Sequence, residues 1–136
     1  MSRRSEARLG AMPDIPAPRI HGIRGATTVE QNDAEEILDA TDELLRALIS
    51  ANDLQPDDIV SAFFTVTNDI DAAFPARAAE DFGWNIVALL HATEIPVPGS
   101  LPKCIRLLVH AYTTRTRAEI KHCYLRRAII LRPDRA

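Results

Sequence analysis

Apolar residues recur every three or four positions between residues 33 and 52, which is the period of one helical face. The stripe consists of Ile37, Thr41, Leu44, Leu45, Leu48 and Ile49. Asn32 or Asp33 offers a capping oxygen at its start, and Asp33 with Glu36 has the spacing of a capping box. The pattern predicts one long amphipathic helix that ends at Asn52, with an acidic outer side in contact with water.

Five shorter apolar runs, rich in β-branched and aromatic residues, predict strands. They are Pro18–Ala26, Ile59–Thr67, Asn85–Leu90, Cys104–Tyr112 and Cys123–Leu131. Phe74–Asp81 has a proline near its first turn and ends before Gly83, which predicts a short second helix. The prolines and the glycine of Ile95–Pro102 predict a loop. Residues 117–120 are expected to form a turn or a short helix.

These elements predict an α+β domain, a five-stranded mixed sheet with one long helix over one face. One helix of this length cannot cover both faces of such a sheet. Yet Ile59–Thr67 and Ile105–Val109 are apolar on both sides, which is typical of strands that are buried on both faces. The pattern therefore predicts an oligomer, in which neighbouring subunits cover the second face and a site lined by strand residues lies between chains.

The chain of 136 residues has the length and composition of one domain, with 46% hydrophobic and 26% charged residues. No apolar run approaches the ~20 residues that span a bilayer. Residues 1–18 are rich in arginine and proline and lack the apolar core of a signal peptide, so they predict a flexible arm before a domain at residues 19–136. Cys104 and Cys123 have no CxxC spacing, which favours reduced thiols and a cytoplasmic protein without membrane partners.

The net charge of −3 conceals two regions of opposite sign. Glu30–Asp81 holds 14 acidic residues against two basic ones, whereas Lys103–Ala136 holds nine basic residues against two acidic ones. A basic surface attracts nucleic acid or a small polyanion. Aromatic residues make up only 5% of the chain, too few for the stacking surfaces of single-strand binders. The charge pattern therefore favours a small anionic ligand and no nucleic acid.

Three arginines, Arg24, Arg106 and Arg132, lie on or at the ends of predicted strands. Arg24 stands between apolar residues and glycines, where an unpaired guanidinium is costly to bury. Glu94 is expected to end the third strand, and Tyr124 lies in the last. Guanidinium groups bind carboxylates bidentately and stay charged at any working pH. The set predicts an oligomeric binder of a small polyanion, although a rim salt bridge is the competing interpretation of each arginine alone.

Other site chemistries have weaker support in the sequence. The five glycines form no GxGxxG or Walker pattern. The histidines lack the spacing of metal ligands, apart from a weak zinc suggestion at His110, His122 and Cys123. No serine or cysteine stands in a recognisable nucleophile elbow.

Four motifs in collinear order carry a family resemblance. They are Ile23–Glu30, Phe74–Ala79, Pro96–Arg106, and His122–Leu125 continued by Leu131–Asp134. Together they resemble the small monofunctional chorismate mutases of the trimeric α/β-barrel class, over about residues 19–134. The resemblance implies a homotrimer with a pseudo-α/β-barrel core and active sites between subunits. It also implies the rearrangement of chorismate to prephenate, without a cofactor or metal, in phenylalanine and tyrosine biosynthesis.

The resemblance implies roles for nine residues. Arg106 would be the cation at the ether oxygen, Arg24 would grip a carboxylate and reach toward the same oxygen, and Glu94 would accept the ring hydroxyl. The substrate-binding residues would be Tyr124, Phe74, Arg77, His91, Leu131 and Arg132.

Two other functions remain open at this point. A small trimeric imine or enamine deaminase can share this shape and an interface arginine, but it would need its own arginine motif late in the chain and a water-activating acid. A non-catalytic trimer that binds carboxylates is the other alternative. The four motifs favour the mutase.

Overall fold

The computed structural model describes residues 16–132 of the chain. Residues 1–15, which are most of the predicted arm, and residues 133–136, which include the end of the last motif, lie outside the described residues. The elements in chain order are β1 (Arg19–Thr28), α1 (Ala34–Asn52), β2 (Ile59–Val66), α2 (Ala76–Asp81), β3 (Ala88–Thr93), β4 (Cys104–Thr113) and β5 (Cys123–Tyr124). Short 3-10 helices occupy Pro56–Asp58, Arg117–Glu119 and Arg126–Leu131. Within residues 16–132, no helix has the length and apolarity needed to cross a membrane.

The five strands form one mixed sheet in the order β3-β2-β4-β1-β5. β4 is antiparallel to both of its neighbours, β1 and β2, whereas β2–β3 and β1–β5 are parallel pairs. The prediction of an α+β domain with a five-stranded mixed sheet and one long helix is confirmed.

The start of α1 shows how its predicted cap is built. The Asp33 carboxylate accepts a hydrogen bond from the backbone N–H of Glu36 at 3.0 Å, as the capping pattern requires. The Glu36 carboxylate does not return this bond to Asp33. It accepts instead from the backbone N–H groups of Glu30 and Gln31, at 2.6 Å and 3.0 Å. Glu36 thereby ties the segment that follows β1 to the first turn of α1.

The sheet has two faces of different character. The covered face carries alternate residues of β1 and β4, such as Ile23, Gly25 and Leu107, and packs under α1. Ile23 is fully buried, and a Cβ built on Gly25 would lie 3.1 Å from Leu44 Cδ1 and 3.3 Å from Leu48 Cδ1. Any side chain at this position would require the two leucines to shift by a few tenths of an ångström, so glycine allows the close approach of the helix to the strand. The opposite side of the sheet is called the open face below.

The third strand was predicted too early in the chain. The prediction placed it at Asn85–Leu90, whereas β3 spans Ala88–Thr93. Trp84 is almost completely buried next to the end of α2, and the chain turns after it through a hydrogen bond from Val87 N to Trp84 O at 3.0 Å. The first residues of this stretch therefore form a turn, and the strand begins only afterwards.

The last strand was predicted too long. Cys123–Leu131 contains a two-residue strand, β5, followed by a 3-10 helix. Arg126 has a φ of 52°, a left-handed conformation that no strand continues. The fully buried Ala128 then packs the 3-10 helix against the sheet next to Ala26 and Cys104. After β5, the segment packs on one patch of the sheet through Ala128 and does not pair as a strand.

Candidate active site

Strand register places the two catalytic arginine candidates on the open face. Arg24 of β1 pairs with Leu108 of β4, and Arg106 of β4 pairs with Ala26 of β1 and with Thr65 of β2. Paired residues point to the same side of a sheet, and residues two apart in a strand share a face. All five therefore lie on the face opposite α1.

Arg106 and Glu94 meet on this face. The Arg106 Nε atom lies 3.3 Å from Glu94 Oε2, with the arginine side chain half exposed and the glutamate side chain 25% exposed. Thr65 donates its hydroxyl hydrogen to the same carboxylate oxygen. Glu94 directly follows β3, and its backbone N–H donates to Val66 O at 2.8 Å. A solvated ion pair of this kind adds at most about 1 kcal/mol to the stability of the fold. Its contribution to folding is therefore small, which favours a role in binding.

Tyr124 and Leu131 lie at the β1 side of this face. Tyr124 pairs with Ala26 in the parallel β1–β5 ladder, so its side chain is on the open face. Leu131 packs with Tyr124 against a small buried cluster that contains Ala26, Cys104 and Ala128. Both residues are partly exposed. Ala26, the partner of Tyr124, also pairs with Arg106, so Tyr124 and Arg106 lie on either side of Ala26.

Cys104, a member of this cluster, is a buried thiol that is not poised as a nucleophile. Burial raises the pKa of Cys104 to about 11, although the neighbouring Arg106 guanidinium acts in the opposite direction. The thiol is therefore protonated at neutral pH, and the thiolate is the reactive form of cysteine. Cys104 and Cys123 are both free, as predicted.

Arg24 is exposed in the single chain, although its neighbours Ile23 and Gly25 are buried. Its backbone N–H donates to the Nδ1 atom of His122 at 2.9 Å, which fixes the main chain where β1 meets the segment leading into β5. Among residues 16–132, no carboxylate forms an ion pair with Arg24. Its guanidinium is thus available to an anion from outside the chain.

Phe74, Arg77 and His91 are grouped elsewhere. They line a cavity of about 510 Å³ between α1, α2 and β3. His91 pairs with the buried Phe64, so its ring is on the covered side of β3, and its centroid lies 5.1 Å from that of Phe74. Within one chain the structure does not bring these three residues together with the Arg106–Glu94 pair.

His91 has a structural role that the sequence did not reveal. Its Nε2 atom accepts a hydrogen bond from the backbone N–H of Ala76, the first residue of α2, at 3.2 Å. Burial lowers the pKa of the imidazole, and a neutral ring is the form that can accept this bond. The side chain therefore helps to hold α2.

Arg132 lies beside a second cavity, of about 540 Å³, whose lining includes Lys121, His122 and Tyr124. The structure therefore places Arg132 near Tyr124 of β5.

The sequence did not predict one residue that contacts the candidate site: Thr65 contacts Glu94 directly. Its sequence position within β2 carries no motif, and only the register of the folded sheet reveals the contact.

Comparison with known proteins identifies the family of the chain. A family model described as chorismate mutase type I matches residues 20–135. The chain belongs to the chorismate mutase type I family. The match confirms the resemblance seen in the four motifs, and it disfavours the deaminase alternative.

Named relatives of this family cover nearly the same length. The chain is 47% identical to chorismate mutase AroH of Thermus thermophilus over 116 residues, which is 85% of this chain and 95% of that protein. It is 42% identical to chorismate mutase AroH of Bacillus subtilis over 116 residues, which is 85% of this chain and 91% of that protein.

A solved chorismate mutase from Clostridium thermocellum has the same fold. It superimposes with a TM-score of 0.80 at 51% sequence identity, over 81% of this chain and 98% of that one. The fold prediction, a mixed α+β sheet of the kind found in chorismate mutases, is confirmed at the level of the single chain.

Proposed function

We propose that this member of the chorismate mutase family converts chorismate to prephenate on the open face of its sheet, with Arg106 and Glu94 at the centre of the site. The observation that carries the proposal is the 3.3 Å contact between Arg106 Nε and Glu94 Oε2. It places a cation and a carboxylate side by side on the sheet face that α1 leaves uncovered.

The reaction is a unimolecular rearrangement, so it requires neither a nucleophile nor a general base. Its substrate is a dicarboxylate that must be held in a compact conformer, which is a problem of positioning. In the transition state the breaking ether bond leaves negative charge on its oxygen. A preorganised cation at that oxygen stabilises the transition state more than the ground state. Loss of one such donor typically costs about 3 kcal/mol of barrier.

Arg106 is the residue we assign to the ether oxygen. Its guanidinium lies beside Glu94 and its side chain is half exposed, so it is accessible to a substrate. Arg24 and Tyr124 share the face with Arg106, and we assign them to the substrate carboxylates. We assign Glu94 as the acceptor of a hydrogen bond from the ring hydroxyl, where it also faces the positive charge that develops on the ring.

The remaining assigned residues support a site shared between chains. Phe74, Arg77 and the main chain at His91 lie around a cavity on the other side of β3, so one chain cannot supply them to the Arg106 side. A neighbouring subunit that docks onto the open face can. We therefore propose a homotrimer in which one subunit contributes Arg106 and the next contributes Phe74 and Arg77.

Exposed apolar side chains support the same assembly. Phe63 and Leu90 are on the open face and are 39% and 62% exposed in the single chain. Apolar groups of this size that lie side by side on a sheet are typical of subunit contacts. Leu131 and Arg132, at the β5 end, would complete the wall of the pocket.

A spectrophotometric assay tests the proposed function directly. Purified protein should consume chorismate and form prephenate in equimolar amounts, without added metal or cofactor. Protein that is folded by circular dichroism and leaves chorismate unchanged would contradict the proposal. It would then favour a non-catalytic carboxylate binder.

A further inference from the structure

We propose that Thr65 is a positioning residue for catalysis, acting by fixing which oxygen of Glu94 faces the substrate. The inference rests on the proposed function, because it concerns the same site. Thr65 lies in β2, the strand between β3 and β4, and pairs with Arg106 on one side and Ala92 on the other. It therefore stands between the two charged residues of the site.

The two contacts of the Glu94 carboxylate converge on one atom. Thr65 Oγ1 donates to Oε2, and Arg106 Nε lies 3.3 Å from the same oxygen. No protein hydrogen bond to Oε1 is formed within residues 16–132. The geometry assigns Oε2 to the protein and Oε1 to the ligand, so Oε1 accepts the ring hydroxyl of the substrate.

The hydroxyl of Thr65 is needed because the other contacts do not orient Glu94. The glutamate follows the last residue of β3, where its backbone is held by one hydrogen bond to Val66 O. Its side chain has three rotatable bonds, and a half-exposed arginine is itself a mobile partner. Thr65 is β-branched and stiff about χ1, and it projects from an interior strand. It is the rigid contact in the group.

Thr65→Val tests this role because it removes the hydroxyl with almost no change in shape. Positioning errors of about 1 Å can reduce turnover up to about a hundredfold, and we expect kcat to fall roughly tenfold to a hundredfold. KM should change less, because the interaction of Glu94 is strongest in the transition state. Thr65→Ser, which keeps the donor, should recover most of the activity.

Thr113→Val is the matched control. Thr113 is also a strand threonine with a bonded hydroxyl, which accepts from Arg115 N at 3.1 Å, but it lies at the far end of β4. The Thr113→Val substitution should leave kcat unchanged. Circular dichroism and light scattering of every variant separate a change in catalysis from a change in folding or assembly.

A double-mutant cycle with Glu94→Ala decides whether Thr65 acts through Glu94. The cost of Thr65→Val should vanish when Glu94 is already absent. An equal cost in both backgrounds would overturn the inference, and so would normal kcat in Thr65→Val or no recovery in Thr65→Ser. Failure of the wild-type protein to convert chorismate is a separate result, because it overturns the proposed function and with it any role of Thr65 in that reaction.

Discussion

The two faces of the sheet are built from the same strands and have opposite roles. On the covered face, Ile23 and Leu107 are buried under Leu44 of α1. The adjacent residues Arg24 and Arg106 are exposed on the open face. Because side chains alternate along a strand, neighbouring positions of β1 and β4 at this point belong to different faces. Mutations on one face should therefore affect stability, and mutations on the other should affect assembly and catalysis.

The largest effect is expected from a charge placed in the apolar part of the open face. Phe63→Asp would leave an uncompensated carboxylate in the proposed subunit contact, at a cost of about 3–5 kcal/mol per site. The variant should be monomeric by light scattering at micromolar concentration and should lose activity, while circular dichroism shows a folded chain. Ser50→Asp, at an exposed position of α1, is the control and should remain trimeric. A trimeric Phe63→Asp variant would show that this part of the open face is not the interface.

A truncation on the covered face comes next. Leu44 is fully buried and packs closely on Gly25, so Leu44→Ala should lower the free energy of unfolding by about 2–5 kcal/mol. Urea denaturation measures the loss. Ile86→Ala, at a side chain that is 78% exposed, should change it by less than about 0.5 kcal/mol. Equal losses in the two variants would contradict the division between a packed face and an open one.

The smallest effect concerns a polar atom on the covered face. Thr27 is fully buried, and its Oγ1 atom has no hydrogen-bond partner among residues 16–132. Replacing such a group by an apolar one of the same shape is nearly neutral or stabilising, so Thr27→Val should raise stability by about 0–1 kcal/mol. Thr41→Val is the contrast, because the Thr41 hydroxyl donates to Ile37 O at 2.7 Å. It should lower stability by about 1 kcal/mol. Thermal melts of both variants measure these changes in stability. A destabilised Thr27→Val variant would contradict the prediction that the Thr27 hydroxyl is unpaired.

The elements that the sequence predicted well are those whose pattern is local. The apolar stripe of α1 and its Asp33 cap determine that helix without reference to the rest of the fold. The segments Asn85–Leu90 and Cys123–Leu131 were predicted less well, because an apolar run does not record whether its residues pair as a strand. Trp84, just before the first segment, and Ala128, within the second, are buried without lying in a strand. Only pairing partners make a strand.

The site shows the same limit. Arg106 and Glu94 were predicted together and are in contact. That Phe74 and Arg77 lie on a different side of β3 could not be predicted, because sequence motifs do not record on which side of a sheet a residue lies. The contact of Thr65 with Glu94 was also hidden, since it depends on strand register. The motifs thus predicted candidate residues, and the fold shows which of them lie together within one chain.

The central claim is that the Arg106 guanidinium on the open face provides the catalytic stabilisation, and Arg106→Ala tests it most directly. We expect chorismate turnover to fall at least about a hundredfold, with the oligomeric state and circular dichroism unchanged. Arg117→Ala, which removes an exposed arginine at the opposite end of β4, should keep wild-type turnover. Near-normal turnover in Arg106→Ala would contradict the claim and remove this residue from the mechanism.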